Sequence, residues 1–420
     1  MNTFSKTLDG CRLCGSNSSN IETVLDFGNM SLTGLFLKEN EIVPKADLTL
    51  VTCLSCNLVQ LKHSYPKDIL YGSNYGYESH LNSTMLSHLH AKAKMLSKKY
   101  LGSGEKIVVD IASNDGSFLN GFVGTRIKKV AIDPIMKNLT DHYPVETIKI
   151  PEFFSAEVYW KNINRPAALV TSLSVLYDLD QPLVFAKDVF EILEENGIWH
   201  LEQSYLPSMV ETTSYDTVCH EHLLYLSMHN LKTILEVVGF SIIEVSMNDV
   251  NGGSIAITAV KKKRFEAVDD PFVNFLLSQE IDNGFTTGQA MHDFAKDALK
   301  HKEDLGALIN EYKQLGFEIY GLGASTKGNV LLQWAGIDNH IIKSIGEINP
   351  RKIGKVTPGT NIKIVDEKDI LGKVPNKSGI ISLVLPWHFR DGIINRSDKY
   401  LSNGGKLLFP LPKIQSIGIL

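Results

Sequence analysis

A chain of 420 residues with 43% hydrophobic and 21% charged residues is long enough for two or three domains, each able to bury a core of its own. The net charge of -5, with no long run of like charges, gives no electrostatic footprint for nucleic acid and leaves a small molecule as the expected substrate. The opening Met1-Asn2-Thr3-Phe4-Ser5-Lys6 lacks the apolar stretch of a secretory signal and no segment reaches about 18 uninterrupted apolar residues, so no membrane partner is expected and the cytoplasm is the expected compartment.

Residues 1–65 combine Gly/Ser-rich turns, a short β-rich run at 48–51 and four of the five cysteines, the texture of a small module stapled by metal. The cysteines form two C-x-x-C pairs, Cys11-Arg12-Leu13-Cys14-Gly15 and Thr52-Cys53-Leu54-Ser55-Cys56, and in a reducing compartment such pairs read as metal ligands before disulfides. Four thiolates complete a tetrahedral zinc site with no position open to water, so Cys11, Cys14, Cys53 and Cys56 are expected to hold a structural zinc that supports folding. Cys219 is left alone.

Residues 66–93 read as a tyrosine-rich loop and helix, with Tyr71, Tyr75 and Tyr77 close together. From 106 to 261, strand-like runs at 107–111, 130–133, 168–170 and 198–201 alternate with helical patterns, and a late pair at 240–245 and 254–260 fits an antiparallel addition; the pattern predicts a Rossmann-like parallel sheet. The first strand, with Asp110 near its end, enters a turn of small residues, Ala112, Ser113 and Asn114, which lets a ligand approach the backbone. The next strand ends in Asp133, whose carboxylate can accept hydrogen bonds from ribose hydroxyls. An adenosine-type ligand follows. A turn this poor in glycine suits S-adenosylmethionine (SAM) better than a dinucleotide, because SAM has no pyrophosphate to press against the backbone.

The segment Tyr215 to Tyr225 places His220 and His222 on either side of Glu221, a cluster able to supply a general base whose imidazole is tuned by a carboxylate. A metal site is the rival reading, with only three ligands at hand, and a polar turn is the bland one. His200 alternates within an apolar strand and reads as a sheet histidine.

An amphipathic helix over 291–315 marks a boundary, after which strands at 318–321, 342–346, 380–385 and 406–409 predict a second α/β domain. Its turn, Gly321-x-Gly323, admits a nicotinamide-dinucleotide site and hence an oxidoreductase. The third glycine is missing, and Gly323-Ala324-Ser325-Thr326-Lys327 offers instead hydroxyls, backbone N–H groups and a lysine suited to the phosphates of a sugar nucleotide.

Together these features resemble the three-domain, zinc-containing, SAM-dependent sugar C-methyltransferase family. Beyond the cysteine pairs, the resemblance rests on Leu25-Asp26-Phe27-Gly28, Tyr75-Gly76-Tyr77-Glu78-Ser79, the run from Asp110 to Leu119, His220-Glu221-His222 and Asn251-Gly252-Gly253-Ser254. In the last third it rests on the run from Tyr320 to Asn329, Asn349-Pro350-Arg351-Lys352-Ile353-Gly354, Thr357-Pro358-Gly359-Thr360 and Leu385-Pro386-Trp387-His388-Phe389. The implied organisation is a zinc module at 1–65, a SAM methyltransferase domain at 66–285 and a C-terminal α/β, Rossmann-like domain at 286–420 that binds the sugar nucleotide. The implied reaction is methylation of the carbon next to the C4 ketone of a nucleotide-linked deoxysugar through an enolate, by a monomer or homodimer. In that scheme His222 is the base, with Glu221, His220, Tyr75 and Tyr77 around it; Asp110, Ala112, Asn114, Gly116, Asp133 and Ser172 line the cofactor. Cys219, Tyr177, Asn251, Lys327, Asn329, Lys352 and Trp387 line the substrate. The chain departs from the family pattern at Cys219, where a tyrosine is expected, and at Tyr177-Asp178, where a histidine is. These departures leave O-methylation as an alternative, and a partner-recruiting protein without activity is the non-enzymatic one.

Overall fold

The N-terminal unit is built on one long hairpin. Strand β1 (Ile21–Ser31) pairs antiparallel with β2 (Lys45–Cys53), and β2 with β3 (Val59–Leu61), in a computed structural model that describes residues 4–72, 75–124, 126–139, 141–262 and 270–418. β2 ends on Cys53, opposite Ile21 at the open end of that hairpin, and the turn from there to β3 carries the second knuckle, which lies beside the first.

The central domain opens with helix α1 (Ser83–Tyr100), whose N-cap Asn82 accepts from the N–H groups of Thr84 and Met85. Strand β4 (Lys106–Ile111) is apolar almost throughout and buried on both faces, as a strand covered by helices on both sides must be. Then come β5 (Ile127–Ile132), β6 (Ile148–Ile150), helix α2 (Ala156–Asn162), β7 (Ala167–Leu173), α3 (Pro182–Ile192) and β8 (Leu193–Ser204). The two-residue strand β9 (Leu224–Tyr225) follows the His-Glu-His cluster and leads to α4 (Met228–Val238), closed at Gly239 with φ 102° and N–H bonds to Leu235 and Glu236. β10 (Phe240–Asn248) and β11 (Ser254–Lys261) finish the sheet. Its order is β10-β11-β8-β7-β4-β5-β6, with only β11 antiparallel to its neighbours. The order reverses between β4 and β7, and a doubly wound sheet binds ligands at the crevice outside the strand C-termini there.

Helices α5 (Pro271–Asp282) and α6 (Gln289–Gln314) connect to the last domain. Its sheet comprises β12 (Glu318–Leu322), β13 (Ile345–Glu347), β14 (Ile364–Asp366), β15 (Ile380–Val384), β16 (Gly405–Phe409) and β17 (Gln415–Ile417), in the order β14-β13-β12-β15-β16-β17. Only β17 runs antiparallel. Helix α7 (Thr326–Ala335) follows β12, so the second reversal lies between β12 and β15.

The expected fold class is the observed one: a metal-binding module followed by two Rossmann-like sheets. The expected strand at 342–346 is shorter, Ile345–Glu347, because Ile341 and Ile342 close a turn through N–H bonds to the Asp338 carbonyl while Ile342 fills the core. The modules are not independent beads. β9 pairs antiparallel with β3, Leu224 opposite Gln60 and Tyr225 opposite Val59, so a strand of the central chain completes the N-terminal sheet. None of the described helices is long and apolar enough to cross a membrane.

Candidate active site and its supporting zinc centre

Each cysteine pair sits on a turn followed by a residue in the left-handed region, Gly15 (φ 71°) and Asn57 (φ 56°), which turns the chain back so both sulfurs of a pair face one point. The four sulfurs lie within 4.8 Å of one another, with Cys11–Cys56 at 3.5 Å and Cys14–Cys53 at 3.6 Å. A tetrahedron of Zn–S bonds of about 2.3 Å needs sulfurs about 3.8 Å apart, so the donor set fits zinc. The knuckle is anchored through the buried Arg12, which donates to the carbonyls of Leu61 and His63 and to Asp180 of the central domain.

At the central reversal, the loop after β4 places Ala112 (φ 55°), Asn114 (φ 52°) and Gly116 (φ 85°) in the left-handed region at alternate positions. Two of the three are not glycine, and a strained backbone of this kind persists only where its surroundings hold it. The restraints are visible. Asp133, beyond the end of β5, accepts from the N–H of Asn114 at 2.8 Å and of Ile135 at 2.9 Å. Tyr143 caps the loop, donating to the Asn114 carbonyl and meeting the Ser113 hydroxyl at 2.8 Å; a Cβ at Gly116 would lie 2.6 Å from its ring. Burial holds the Asp133 carboxyl up at about 6. Asp110, fully enclosed, is pushed by burial to about 8 and accepts from the Thr171 hydroxyl at 2.8 Å. An exposed-edge loop of left-handed residues beside a carboxylate with spare lone pairs fits the ribose and amino-acid portions of SAM.

The base candidate lies across from this loop. His222 meets the carbonyl of Thr217 at 2.9 Å through Nδ1, and a carbonyl only accepts, so Nδ1 carries the proton and Nε2 presents a bare lone pair. Burial, with the positive charge of Lys327, holds the imidazolium down at about 3, so the ring is neutral throughout the physiological range. Its face packs on Tyr177, ring centroids 4.4 Å apart. Beside them the Asp178 carboxyl is raised well above the usual range by burial and faces the Tyr71 hydroxyl, whose interaction with it opposes that rise. Tyr75 is raised too, by burial and then by Asp178.

The C-terminal reversal closes over this cluster. Lys327, on the first turn of α7, points inward rather than to solvent and donates to the Asn251 carbonyl at 2.9 Å. Trp387 donates to Asp216 Oδ2 at 2.8 Å, while Asp216 Oδ1 and His388 Nδ1, both buried, are unpartnered. Burial and the neighbouring Lys327 keep His388 neutral. The C-terminal edges of the two sheets thus face each other across a polar cleft with unsatisfied buried atoms, an arrangement that a polar ligand would complete.

Of the residues expected from sequence, the fold brings His222, Tyr177, Cys219, Tyr75, Asn251, Lys327 and Trp387 to this cleft. Tyr77 borders the donor loop, its carbonyl accepting from Asn114. Others turn elsewhere. Glu221 does not touch the His222 imidazole: its Oε2 accepts from Thr33, and its Oε1 fills the space that a Cβ at Gly34 would need. His220 faces the zinc module, edge-on to Tyr65 at 4.8 Å. Asn329 donates to the Thr33 carbonyl at 2.7 Å, and Lys352 donates to the Ala324 carbonyl beneath Phe36. Ser172 accepts from Trp199 within the sheet. Tyr71, Asp216 and His388 join the cleft without a role expected from sequence, where the signals for them are the tyrosine group at 71–77, the adjacency of His388 to Trp387 and that of Asp216 to the histidine cluster.

Three family models match in tandem: a zinc binding domain over residues 11–71, a methyltransferase domain over 81–245 and a C-methyltransferase C-terminal domain over 249–412. The chain is 27% identical over 420 residues to the C-methyltransferase NovU of Streptomyces niveus, covering 98% of each protein. Among solved structures, a magnesium protoporphyrin IX methyltransferase from Synechocystis PCC 6803 is 12% identical over 42% of this chain and 79% of that one, with a TM-score of 0.32. A cyclopropane synthase from Mycobacterium tuberculosis is 11% identical over 41% and 83%, with a TM-score of 0.33.

Proposed function

Because the chain belongs to the three-domain, zinc-containing C-methyltransferase family and is a SAM-dependent C-methyltransferase, we propose that it methylates the carbon next to the C4 ketone of a nucleotide-linked deoxysugar, with His222 as the base. The observation that carries this reading is the bare Nε2 of a neutral His222 inside a cleft that also holds the half-buried Lys327. A ketone acidifies the neighbouring C–H, and removing that proton needs a base and a site for the charge that appears on oxygen.

His222 Nε2 takes the proton, and the Thr217 carbonyl steadies the imidazolium through Nδ1. The burial that keeps the ring neutral also weakens it as a base, and the enolate itself supplies the missing counter-charge in a low-dielectric site. Lys327, with a single protein acceptor among the described residues, retains N–H groups for the enolate oxygen. The unpartnered Asp216 and His388 atoms, with the Tyr71–Asp178 pair beside His222, suit the hydroxyls of a sugar ring. SAM, when bound, supplies an electrophilic methyl group; Ala112, Asn114, Gly116 and Asp133 would hold it. The inward aim of Lys327 supports a role at the reacting oxygen rather than at the phosphates, and Thr326, Ser325 and the N-terminus of α7 remain for those.

The test is deuterium exchange at the carbon next to the ketone in heavy water with S-adenosylhomocysteine bound, which isolates deprotonation from methyl transfer. The parent should exchange on a 4-keto sugar nucleotide, and His222→Ala should lose roughly 10²- to 10⁴-fold in rate with donor affinity intact. Exchange at the parental rate in the variant would remove His222 as base, and no exchange in the parent on any 4-keto sugar nucleotide would bring O-methylation forward.

A further inference from the structure

The segment 75–80 is held from two sides by domains that have no other reason to share it. From the donor loop, Asn114 donates through Nδ2 to the Tyr77 carbonyl at 3.0 Å and accepts through Oδ1 from the Ser79 N–H at 3.1 Å, while Asp115 accepts from the His80 N–H at 2.9 Å. From the C-terminal domain, Asn349 donates through Nδ2 to the Gly76 carbonyl at 2.8 Å, and Arg351 Nε lies 2.9 Å from Oε1 of Glu78. Arg351 also donates to the carbonyl of Asn138, past the end of β5. Asn349 and Arg351 are themselves set by Glu347 at the end of β13, which accepts from the N–H groups of Ala324, Ile348 and Asn349 at 2.8 Å each, and by the Asn349 side chain, which accepts from the Arg351 N–H. The Glu78 side chain is 2% exposed and that of Arg351 39%, so the pair ties a buried carboxylate, which also lies 3.8 Å from His80 Nδ1, to a guanidinium at the surface.

We infer that Asn349 and Arg351 are positioning residues for the methyl-donor site: from the C-terminal domain they hold the Tyr75–His80 segment across the Asn114–Asp115 loop, so that the donor site is complete only with the acceptor domain seated on it. The inference rests on placing the donor at the 112–116 loop. Tyr75 gains a fixed place by it, since the same segment carries that ring between the donor loop and the Tyr177–Asp178 cluster. Neither Asn349 nor Arg351 hydrogen-bonds the loop residues that would contact the donor, so any effect on donor binding travels through the strap or, for Arg351, through the Asn138 carbonyl beyond β5. Binding at either domain should then favour binding at the other by the same factor.

The test is calorimetric titration of the full-length, zinc-loaded chain with S-adenosylhomocysteine, alongside thermal unfolding. Asn349→Ala and Arg351→Ala should each weaken binding roughly fivefold or more, the size expected of coupled sites. Arg351→Lys, which keeps a charge for Glu78, should recover part of the loss, and Glu78→Gln combined with Arg351→Ala should be no worse than Arg351→Ala alone, because the arginine change already removes the contact the two share. Asp133→Ala is the control for the donor site. If it weakens binding while the folded Asn349 and Arg351 variants bind as the parent does, the inference is overturned and the donor assignment stands. If Asp133→Ala is also silent, the donor assignment and the inference fall together. No sugar substrate enters the measurement, so failure of the enolate chemistry would leave it untouched.

Discussion

Asp133, the proposed ribose acceptor, is a side chain at which burial and folding would be coupled to donor binding. Its carboxyl is held up at about 6 by burial, against the backbone N–H bonds that favour ionisation. Between about pH 4 and 6 the folded chain therefore carries a proton there that the unfolded chain has lost, and this group's contribution to stability declines as the pH rises through that window. Ribose hydroxyls donating to the carboxylate favour the ionised form, so S-adenosylhomocysteine affinity should climb between about pH 5 and 7 and then level off. Titrations across that range should show the inflection in the parent and a flat profile in Asp133→Asn. His222, neutral down to about 3, supplies no inflection of its own in that window. Removing the acceptor altogether with Asp133→Ala should weaken donor binding by about 1–3 kcal/mol.

At the scale of elements, the face of β8 toward α1 carries a buried ionic cluster where an apolar stripe would be ordinary. Lys92 of α1 reaches Glu202 Oε2 at 2.8 Å and His200 Nε2 at 3.3 Å, and His88 meets Glu202 Oε1 at 2.6 Å. Burial pushes Glu202 up, but His88 and Lys92 together hold it down at about 2. Its contribution to stability is thus present above the usual carboxylate range and is lost as the pH falls toward 2. Lys92→Met should lower unfolding stability by roughly 3 kcal/mol at neutral pH, the low end of the range for a broken buried pair because His88 remains, with a smaller penalty below about pH 4 where the carboxylate can protonate. Denaturant titrations at both pH values measure it. The His200 ring in this cluster, bonded to Thr258 at 3.0 Å, is a sheet histidine, as its alternation in the sequence suggested.

For the whole molecule, the zinc module packs against the proposed active site and is not an appendage. Thr33 donates to Glu221, one residue from His222; Asn329 of α7 donates to the Thr33 carbonyl; and Gln333 pairs with both the N–H and the carbonyl of Ser31. With β9 completing the module's sheet, the chain on both sides of His222 is tied to residues that the zinc organises. Stripping the metal with a chelator, or Cys53→Ser, should therefore lower folding yield and thermal stability and abolish methyl transfer in parallel, although no cysteine ligand touches the cleft; the metal content, unfolding temperature and turnover of one preparation decide it. Retained turnover in metal-free protein would show that the module does not shape the site. Asn329→Ala, which leaves the buried Thr33 carbonyl unpaired, should cost about 1–3 kcal/mol by the same route.

Sequence alone determined what depends on local pattern. The two C-x-x-C spacings, the apolar runs of β4, β7, β8 and β15, and a small-residue turn followed by Asp133 are short-range features, and they sufficed for the zinc module, the two parallel sheets and the class of donor. Tertiary structure decided everything that depends on which way a side chain leaves a turn. His220, Glu221 and His222 are consecutive, yet a 3₁₀ turn at Tyr215–Thr217 and the β9 pairing send the first two toward the zinc module and leave only His222 facing the cleft. Lys327, read as a phosphate ligand from its place after a glycine turn, is aimed inward instead, its ammonium donating to the carbonyl of the distant Asn251. The contacts between Asn349, Arg351 and the 75–80 segment join residues more than 250 positions apart in a 420-residue chain, and no periodicity or spacing encodes such a meeting; it exists because the C-terminal edges of two sheets face each other.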